Sequence, residues 1–178
     1  MKTRDLVQVA LLMAIGYVLR LMTPPLVLGM KPDIMLIMLF SVILLKRNLT
    51  LSLEAGLIAG FVTALTTTFP GGQFANLVDK FLTSLVAFAL TSLLLRRVPD
   101  KVAAPVVAAV GTVFSGSAFL TVAALTAGLP TKFNVLFASV VLPAALFNTV
   151  CVALVYPLLA ASARAIAVRR DPRGATPA

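Results

Sequence analysis

Long uncharged stretches alternate with short charged segments along this chain. Each stretch is a candidate membrane helix, because a span requires about 20 predominantly apolar residues. The six stretches are Leu6 to Leu19, Ile34 to Leu45, Ala55 to Val78, Phe81 to Leu95, Val102 to Thr131 and Phe133 to Ala163. The third contains Phe69-Pro70-Gly71-Gly72, which a helix cannot continue through, so we end one helix near Thr68 and begin the next near Gln73. The pattern therefore predicts an all-α membrane protein with six transmembrane helices.

The composition narrows the possible functions. Of the 178 residues, 60% are hydrophobic and 12% are charged, whereas soluble domains have roughly 45–50% and about 25%. A span with its loop takes roughly 30 residues, so six spans leave no room for a soluble catalytic or nucleotide-binding domain. The chain has no His, one Cys and no G-x-x-x-x-G-K-[ST] motif, which removes the parts of zinc sites, Ser/His or Cys/His catalysis, disulfides and an ATPase. We expect no enzyme, no cofactor and no metal site.

The placement of the charges predicts the orientation. Eleven of the 15 Lys and Arg residues fall at one set of helix ends, and the other four are Arg20, Lys31, Lys80 and Lys132. Positive residues concentrate in cytoplasmic loops, so both termini should be cytoplasmic, in a bacterial cell membrane. We therefore attribute the net charge of +9 to topology rather than to nucleic-acid binding. Residues 1–165 should form a single transmembrane domain, and residues 166–178 a basic, disordered cytoplasmic tail.

Two opposite charges lie between the first and second spans. In Lys31-Pro32-Asp33, Pro32 is typical of a first helical position, and Asp33 in the first turn would be stabilised by the helix dipole. The alternative is that Lys31 and Asp33 offer opposite charges to a ligand that carries both an ammonium and a carboxylate.

The densest group of polar residues surrounds the start of the fourth span. Gln73, Asn76, Lys80 and Thr83 would share one helix face, and Asp79 flanks that face by about 100°. Either Lys80 extends to the outer headgroups and Asp79 pairs with it, or these groups bind a ligand. An ionisable residue inside a span costs about 2.5–3.5 kcal/mol on insertion scales, which favours a functional interpretation.

Three further features need an explanation. Asn148 is a deep polar residue in the sixth span, where it forms either an interhelical hydrogen bond or a ligand contact. Phe69 and Phe74 border the polar group, where their rings pack on lipid and helices or stack on an aromatic ligand. Ala10 and Ala14, four residues apart in the first span, allow close approach of a helix that belongs either to this chain or to another protein.

These segments resemble a known family. Val9 to Ile15, with Ala10 and Ala14, is similar to the first helix of the substrate-binding S components of energy-coupling factor (ECF) transporters, which carries an A-x-x-x-A face. Leu28 to Met35, and Ala64 to Gln73 with Asn76, Asp79 and Lys80, resemble the bacterial tryptophan transporter family, which is related to those S components. The resemblance covers residues 2 to about 160.

The resemblance implies a subunit that binds L-tryptophan from outside, with ATP hydrolysis supplied by a separate membrane coupling protein and an ATPase pair. By this analogy, Ala10 and Ala14 would dock on the coupling protein. Tryptophan presents two opposite charges, an indole N–H and a flat apolar ring. We accordingly expect a carboxylate partner in Lys31 or Lys80, an ammonium partner in Asp33 or Asp79, hydrogen bonds from Gln73, Asn76 and Asn148, and indole contacts from Phe69 and Phe74.

Two other transport functions remain open at this point. A stand-alone, ion-coupled carrier for tryptophan would use Asp33 or Asp79 to take a proton or cation. An S component for another small molecule, such as a vitamin, would use the same scaffold. A membrane enzyme is disfavoured, because no second acid lies one helical turn from either aspartate.

Overall fold

The computed structural model describes residues 3–24 and 33–170, with the side chains of 167–170 excepted. This part of the chain forms six helices and no strand, which confirms the predicted all-α class. They are α1 (Thr3–Met22), α2 (Met35–Lys46), α3 (Leu49–Leu65), α4 (Gly72–Leu94), α5 (Asp100–Thr126) and α6, which runs through Phe133–Leu136, a π-helical segment Phe137–Val141 and Leu142–Arg170. Four of the described helices, α1, α4, α5 and α6, are long and apolar enough to cross a membrane.

Helix α2 forms the centre of the bundle. Every residue from Met35 to Leu44 is buried, and the helix contacts α1, α3, α4, α5 and α6. Its 12 residues extend about 18 Å, short of the roughly 30 Å of a bilayer core. An apolar stretch of this length is typical of a core helix surrounded by others. The hydrophobic effect thus fixes α2 between the longer helices, and Asp33, which immediately precedes the N-cap residue Ile34, lies at one end of the bundle rather than in the first turn of the helix.

Helices α3 and α4 pack closely because small residues line their contact. A Cβ added to Gly56 would lie 2.5 Å from the Ser84 hydroxyl, and one added to Gly60 would lie 3.2 Å from the Leu77 Cα. Ala55 and Ala59 are fully buried. Small residues at this spacing let two helix backbones approach each other.

The connection between α3 and α4 begins earlier than the sequence predicts. Helix α3 ends at Leu65 rather than near Thr68, because Thr66 leaves helical geometry at φ −107° and ψ 7°. The Thr66 hydroxyl donates to the Val62 carbonyl at 2.7 Å. Helix α4 begins at Gly72, within one residue of the predicted start, after Gly71 adopts φ +68°. That left-handed conformation favours glycine.

Helix α6 contains an irregular turn beside Pro143. Proline has no N–H, and its ring crowds the carbonyl four residues earlier, here that of Ser139. Residues Phe137–Val141 form a π-helical turn at this place. Such turns are frequent at functional sites, and this one puts Val141 against Gly116 of α5.

Helix α1 lies at one side of the bundle and packs against α2 and α3. Its buried positions include Val9, Met13, Gly16 and Arg20, which follow the helical repeat. Ala10 and Ala14 are exposed in the chain as described. The small-residue face of α1 is therefore not covered by the described helices.

Ion pairs secure the end of the bundle opposite Arg20, here called the terminal end. Lys46 Nζ lies 2.7 Å from Asp5 Oδ1, which joins α2 to α1. Asp100 Oδ2 accepts from Arg47 Nη2 at 2.8 Å and from the Tyr156 hydroxyl at 3.0 Å. These contacts join α5 to α6 and to the connection between α2 and α3. The expected tail from residue 166 stays a prediction, since residues 171–178 lie outside the described part.

Candidate functional site

Four charged side chains meet at the end of the bundle opposite the terminal end, and together they are called the charge cluster. They are Arg20, Asp33, Asp79 and Lys80. Lys80 Nζ lies 2.6 Å from Asp33 Oδ2 and also contacts Asp79 Oδ2. Arg20 Nη1 lies 3.2 Å from Asp33 Oδ1. Asp33, at the start of α2, thereby bridges a cation of α1 and a cation of α4.

The charge cluster lies inside the protein. Arg20 is 4% exposed, and Asp79 and Lys80 are each 1% exposed. The Asp33 side chain is 20% exposed, which makes it the most accessible member. Lys80 therefore does not extend to the headgroups, so that part of the structural alternative is wrong, whereas its other part, the pairing of Asp79 with Lys80, is present. Buried charges persist when they are paired and hydrogen-bonded, as here.

Hydroxyl groups form further hydrogen bonds with the charge cluster. Thr83 donates to Asp79 Oδ1 at 2.8 Å, one helical turn along α4, and Ser115 of α5 donates to Asp79 Oδ2 at 2.9 Å. The Lys80 ammonium is 3.2 Å from the same Ser115 oxygen. Arg20 Nε donates to the Thr66 hydroxyl at 2.8 Å. Residues of three helices, α1, α4 and α5, together with the segment that precedes α2 and the α3–α4 connection, thus fix the orientation of the four charges.

A cavity of about 80 Å³ opens beside the charge cluster. Its apolar wall includes the ring of Phe69, which meets the ring of Phe119 edge to face at a centroid distance of 5.4 Å and an angle of 75°. The remaining lining residues are apolar or carry hydroxyl and amide groups: Leu36, Thr67, Thr68, Asn76, Thr112, Ser115, Gly116, Val140, Val141 and Ala144. The cavity lining therefore combines four charged side chains with aromatic, aliphatic and uncharged polar groups.

A second cavity of about 590 Å³ lies at the terminal end, between α1 and α6. Its lining includes Arg4, Lys46 and Leu159 and contains no aromatic side chain among the described residues. The smaller cavity combines buried charges of both signs with aromatic rings. Binding sites for small molecules typically combine apolar walls with a few placed polar groups. We therefore take the cavity beside the charge cluster as the candidate site.

Comparison with known proteins identifies the family. The model of the family described as tryptophan transporter TrpP matches residues 2–164. The chain belongs to this tryptophan transporter family. It is 46% identical over 159 residues to a probable tryptophan transport protein of Bacillus subtilis, covering 89% of this chain and 92% of the relative. It is 37% identical over 166 residues to a protein of the same description from Clostridium acetobutylicum, covering 93% and 97%. No solved structure matches the chain.

Membership of the tryptophan transporter family agrees with the helices. The family and its named relatives are transport proteins, not enzymes. With four described helices able to cross a bilayer, the chain is a multi-pass protein of the bacterial cell membrane.

The structure brings most of the predicted site residues together. Asp33, Asp79 and Lys80 belong to the charge cluster, and Asn76 and Phe69 line the cavity. Asn76 Nδ2 donates to the Gly72 carbonyl at 2.8 Å.

Asn148 lies behind the cavity wall. Its Nδ2 donates to the Thr112 hydroxyl at 3.2 Å. Of the two alternatives for Asn148, an interhelical hydrogen bond or a ligand contact, the structure shows the hydrogen bond. Because Thr112 lines the cavity, Asn148 positions a lining side chain.

Two predicted residues lie elsewhere, and one is not described. Phe74 is 58% exposed and Gln73 is exposed, and neither lines the cavity. Phe74 is two residues from Asn76, which places it on roughly the opposite side of α4. Gln73 lies in the first turn of α4, where its side chain is exposed although Gly72 and Ala75 of the same turn are buried. Lys31 lies outside the described residues.

The sequence analysis missed Arg20, Phe119, Ser115 and Thr112. The sequence analysis named Arg20 only as one of four charges away from the predicted cytoplasmic side. Its position nevertheless continues the buried repeat of Val9, Met13 and Gly16 on α1. That repeat was the available signal. Phe119, Ser115 and Thr112 lie on α5, where small and hydroxyl residues spread over several faces. No local signal distinguishes those that face the cavity.

Proposed function

We propose that this chain is the substrate-binding subunit for uptake of L-tryptophan, energised by a separate ECF-type coupling protein and an ATPase pair. The observation that carries the substrate is the cavity itself, whose lining combines charges of both signs with the Phe69 and Phe119 rings. Membership of the tryptophan transporter family supports the same substrate.

The cavity offers a partner for each part of tryptophan. Asp33 and Asp79 would accept from the ammonium, and Arg20 and Lys80 would donate to the carboxylate. The rings of Phe69 and Phe119 would border the indole, since aromatic pairs favour edge-to-face or offset contact. The hydroxyl and amide groups of the cavity wall would accept from the indole N–H.

The external energy source rests on separate observations. The sequence contains no motif for nucleotide binding. Helix α1 contacts α2 and α3 and leaves Ala10 and Ala14 exposed. A face of small residues lets a second helix approach closely. This face would receive the coupling protein.

Direct binding tests the substrate. The chain has no Trp, so the fluorescence of added L-tryptophan can be measured without tryptophan emission from the purified protein itself. We expect saturable binding well below millimolar concentration, with weaker binding of tyrosine and phenylalanine. Absence of binding below millimolar concentration, or tight binding of a vitamin instead, would contradict the proposal.

Vesicles test the energy source. We expect no tryptophan uptake by the chain alone under a proton or sodium gradient, and ATP-dependent uptake when the coupling protein and ATPases are present. Gradient-driven uptake by the chain alone would support the ion-coupled carrier instead.

Two substitutions on α1 test the docking face. Replacing Ala10 and Ala14 by Leu should preserve tryptophan binding and abolish ATP-dependent uptake, because the larger side chains prevent close helix contact. Ala124→Leu, at an exposed position of α5, is the matched control and should leave both intact. Equal uptake by the two variants would remove the face from the docking site.

A further inference from the structure

We infer that the charge cluster selects ligands by their net charge, so that the site admits an indole compound with one ammonium and one carboxylate and excludes indole compounds with only one of them. This inference rests on the proposed function, because it takes the cavity as the tryptophan site. It adds the rule by which the site distinguishes tryptophan from its singly charged analogues.

The first step is the balance of charge. Among the described residues, the cavity is lined by two cations, Arg20 and Lys80, and by two anions, Asp33 and Asp79. Their charges sum to zero. Each anion contacts Lys80, and Asp33 contacts Arg20 as well. A zwitterion also carries a net charge of zero, so it can enter and exchange partners with the cluster without leaving a net charge behind.

The second step is the cost of an unbalanced charge. Three members of the cluster are almost completely removed from solvent, and the rest of the cavity lining combines Phe69, Phe119 and aliphatic side chains with uncharged hydroxyl and amide groups. An uncompensated charge in such surroundings is strongly disfavoured. A ligand with an ammonium alone, or a carboxylate alone, would bring one net charge into this site. Such ligands should bind at least about tenfold more weakly than the zwitterion.

The third step is that changing the net charge of the cluster should change which ligand charge the site prefers. Asp33→Asn leaves one net positive charge, because the Arg20 guanidinium keeps its proton and Lys80 keeps Asp79 as its partner. This variant should favour an indole anion. Arg20→Gln leaves one net negative charge and should favour an indole cation. Since Arg20 and Asp33 contact each other, the variant with both substitutions loses an ion pair and is neutral again.

The experiment measures the affinities of L-tryptophan, tryptamine and indole-3-propionate for the full chain. In the wild type, L-tryptophan should bind at least about tenfold more tightly than either analogue. Asp33→Asn should shift the ratio of tryptophan to indole-3-propionate affinity by about tenfold toward the anion. Arg20→Gln should shift the ratio of tryptophan to tryptamine affinity equally toward the cation, and the double variant should again prefer L-tryptophan.

Matched controls change the charge of the chain away from the cavity. Lys132→Met removes an exposed cation, and Glu54→Gln removes a carboxylate of α3 that does not line the cavity. Both should keep the wild-type ratios. These controls separate the charge of the site from the charge of the whole protein.

The outcomes distinguish the inference from the proposed function. If the wild type binds no indole compound, the proposed function is wrong. If it binds L-tryptophan but binds an analogue as tightly, the inference alone is wrong. It is also wrong if the single variants lose all three ligands in equal proportion, because the cluster would then serve only to hold the helices. The wild-type comparison needs no variant, so the inference remains testable even if a variant fails to fold.

Discussion

Replacing Lys80 by Met removes the cation that Asp33 and Asp79 share. Lys80 Nζ lies 2.6 Å from Asp33 Oδ2 and also contacts Asp79. After the replacement, Asp33 keeps Arg20 at 3.2 Å, whereas Asp79 keeps the hydroxyls of Thr83 and Ser115 and has no cation among the contacts described.

The expected loss of stability follows from these contacts. Removing one partner of a buried ion pair costs about 3–5 kcal/mol. Because two hydroxyl groups still donate to Asp79, we expect the lower end, about 3 kcal/mol. A chain of this size loses about 2–4 °C in melting temperature for each kcal/mol, so the midpoint should fall by roughly 6–12 °C.

The assay is thermal unfolding of the purified protein in one fixed detergent, with Lys132→Met as the control for loss of an exposed cation. Adding Asp79→Asn to Lys80→Met should restore part of the lost stability, because the unpaired buried carboxylate is then neutral. Equal midpoints for Lys80→Met and Lys132→Met would refute the buried ion pair. A double variant less stable than Lys80→Met by the full cost of Asp79→Asn would show that the two side chains are not coupled.

Two further predictions concern the connections between helices. Gly71→Ala should destabilise the chain by more than Gly128→Ala. Both positions have a positive φ (+68° and +80°), but an added Cβ meets a described neighbour, the Ala127 side chain, only at Gly71. Thermal unfolding of the two variants checks this, and equal losses of stability would show that the backbone conformation alone decides. Tyr156→Phe should cost about 1.5–3 kcal/mol, since it removes the hydroxyl that donates to the Asp100 carboxylate at 3.0 Å, and an unchanged unfolding midpoint would contradict that contact.

Much of the fold follows from one-dimensional patterns. The uncharged stretches mark all six helices, and Pro70 with Gly71 marks the break between α3 and α4. These signals are local, because apolar length and backbone restriction act within a segment. The end of α3 was misplaced because the backbone leaves helical geometry already at Thr66, before the break that Pro70 and Gly71 mark, and composition does not show this.

The site was predictable where charge and burial conflict within one helix. Asp79 and Lys80 stand out because an apolar span has no local use for them, and both belong to the cluster. Arg20 was harder to find, since its partner Asp33 lies outside α1, in the segment just before α2. Phe74 was misplaced because a list of aromatic residues near a polar group ignores which side of the helix each one occupies.

A structure of this chain determined with bound L-tryptophan tests the central claim most directly. The account predicts that the ligand lies in the cavity beside Phe69 and Phe119, with its ammonium and carboxylate within hydrogen-bond distance of the charge cluster. Tryptophan bound instead in the cavity of about 590 Å³ at the terminal end, with the charge cluster untouched, would contradict it.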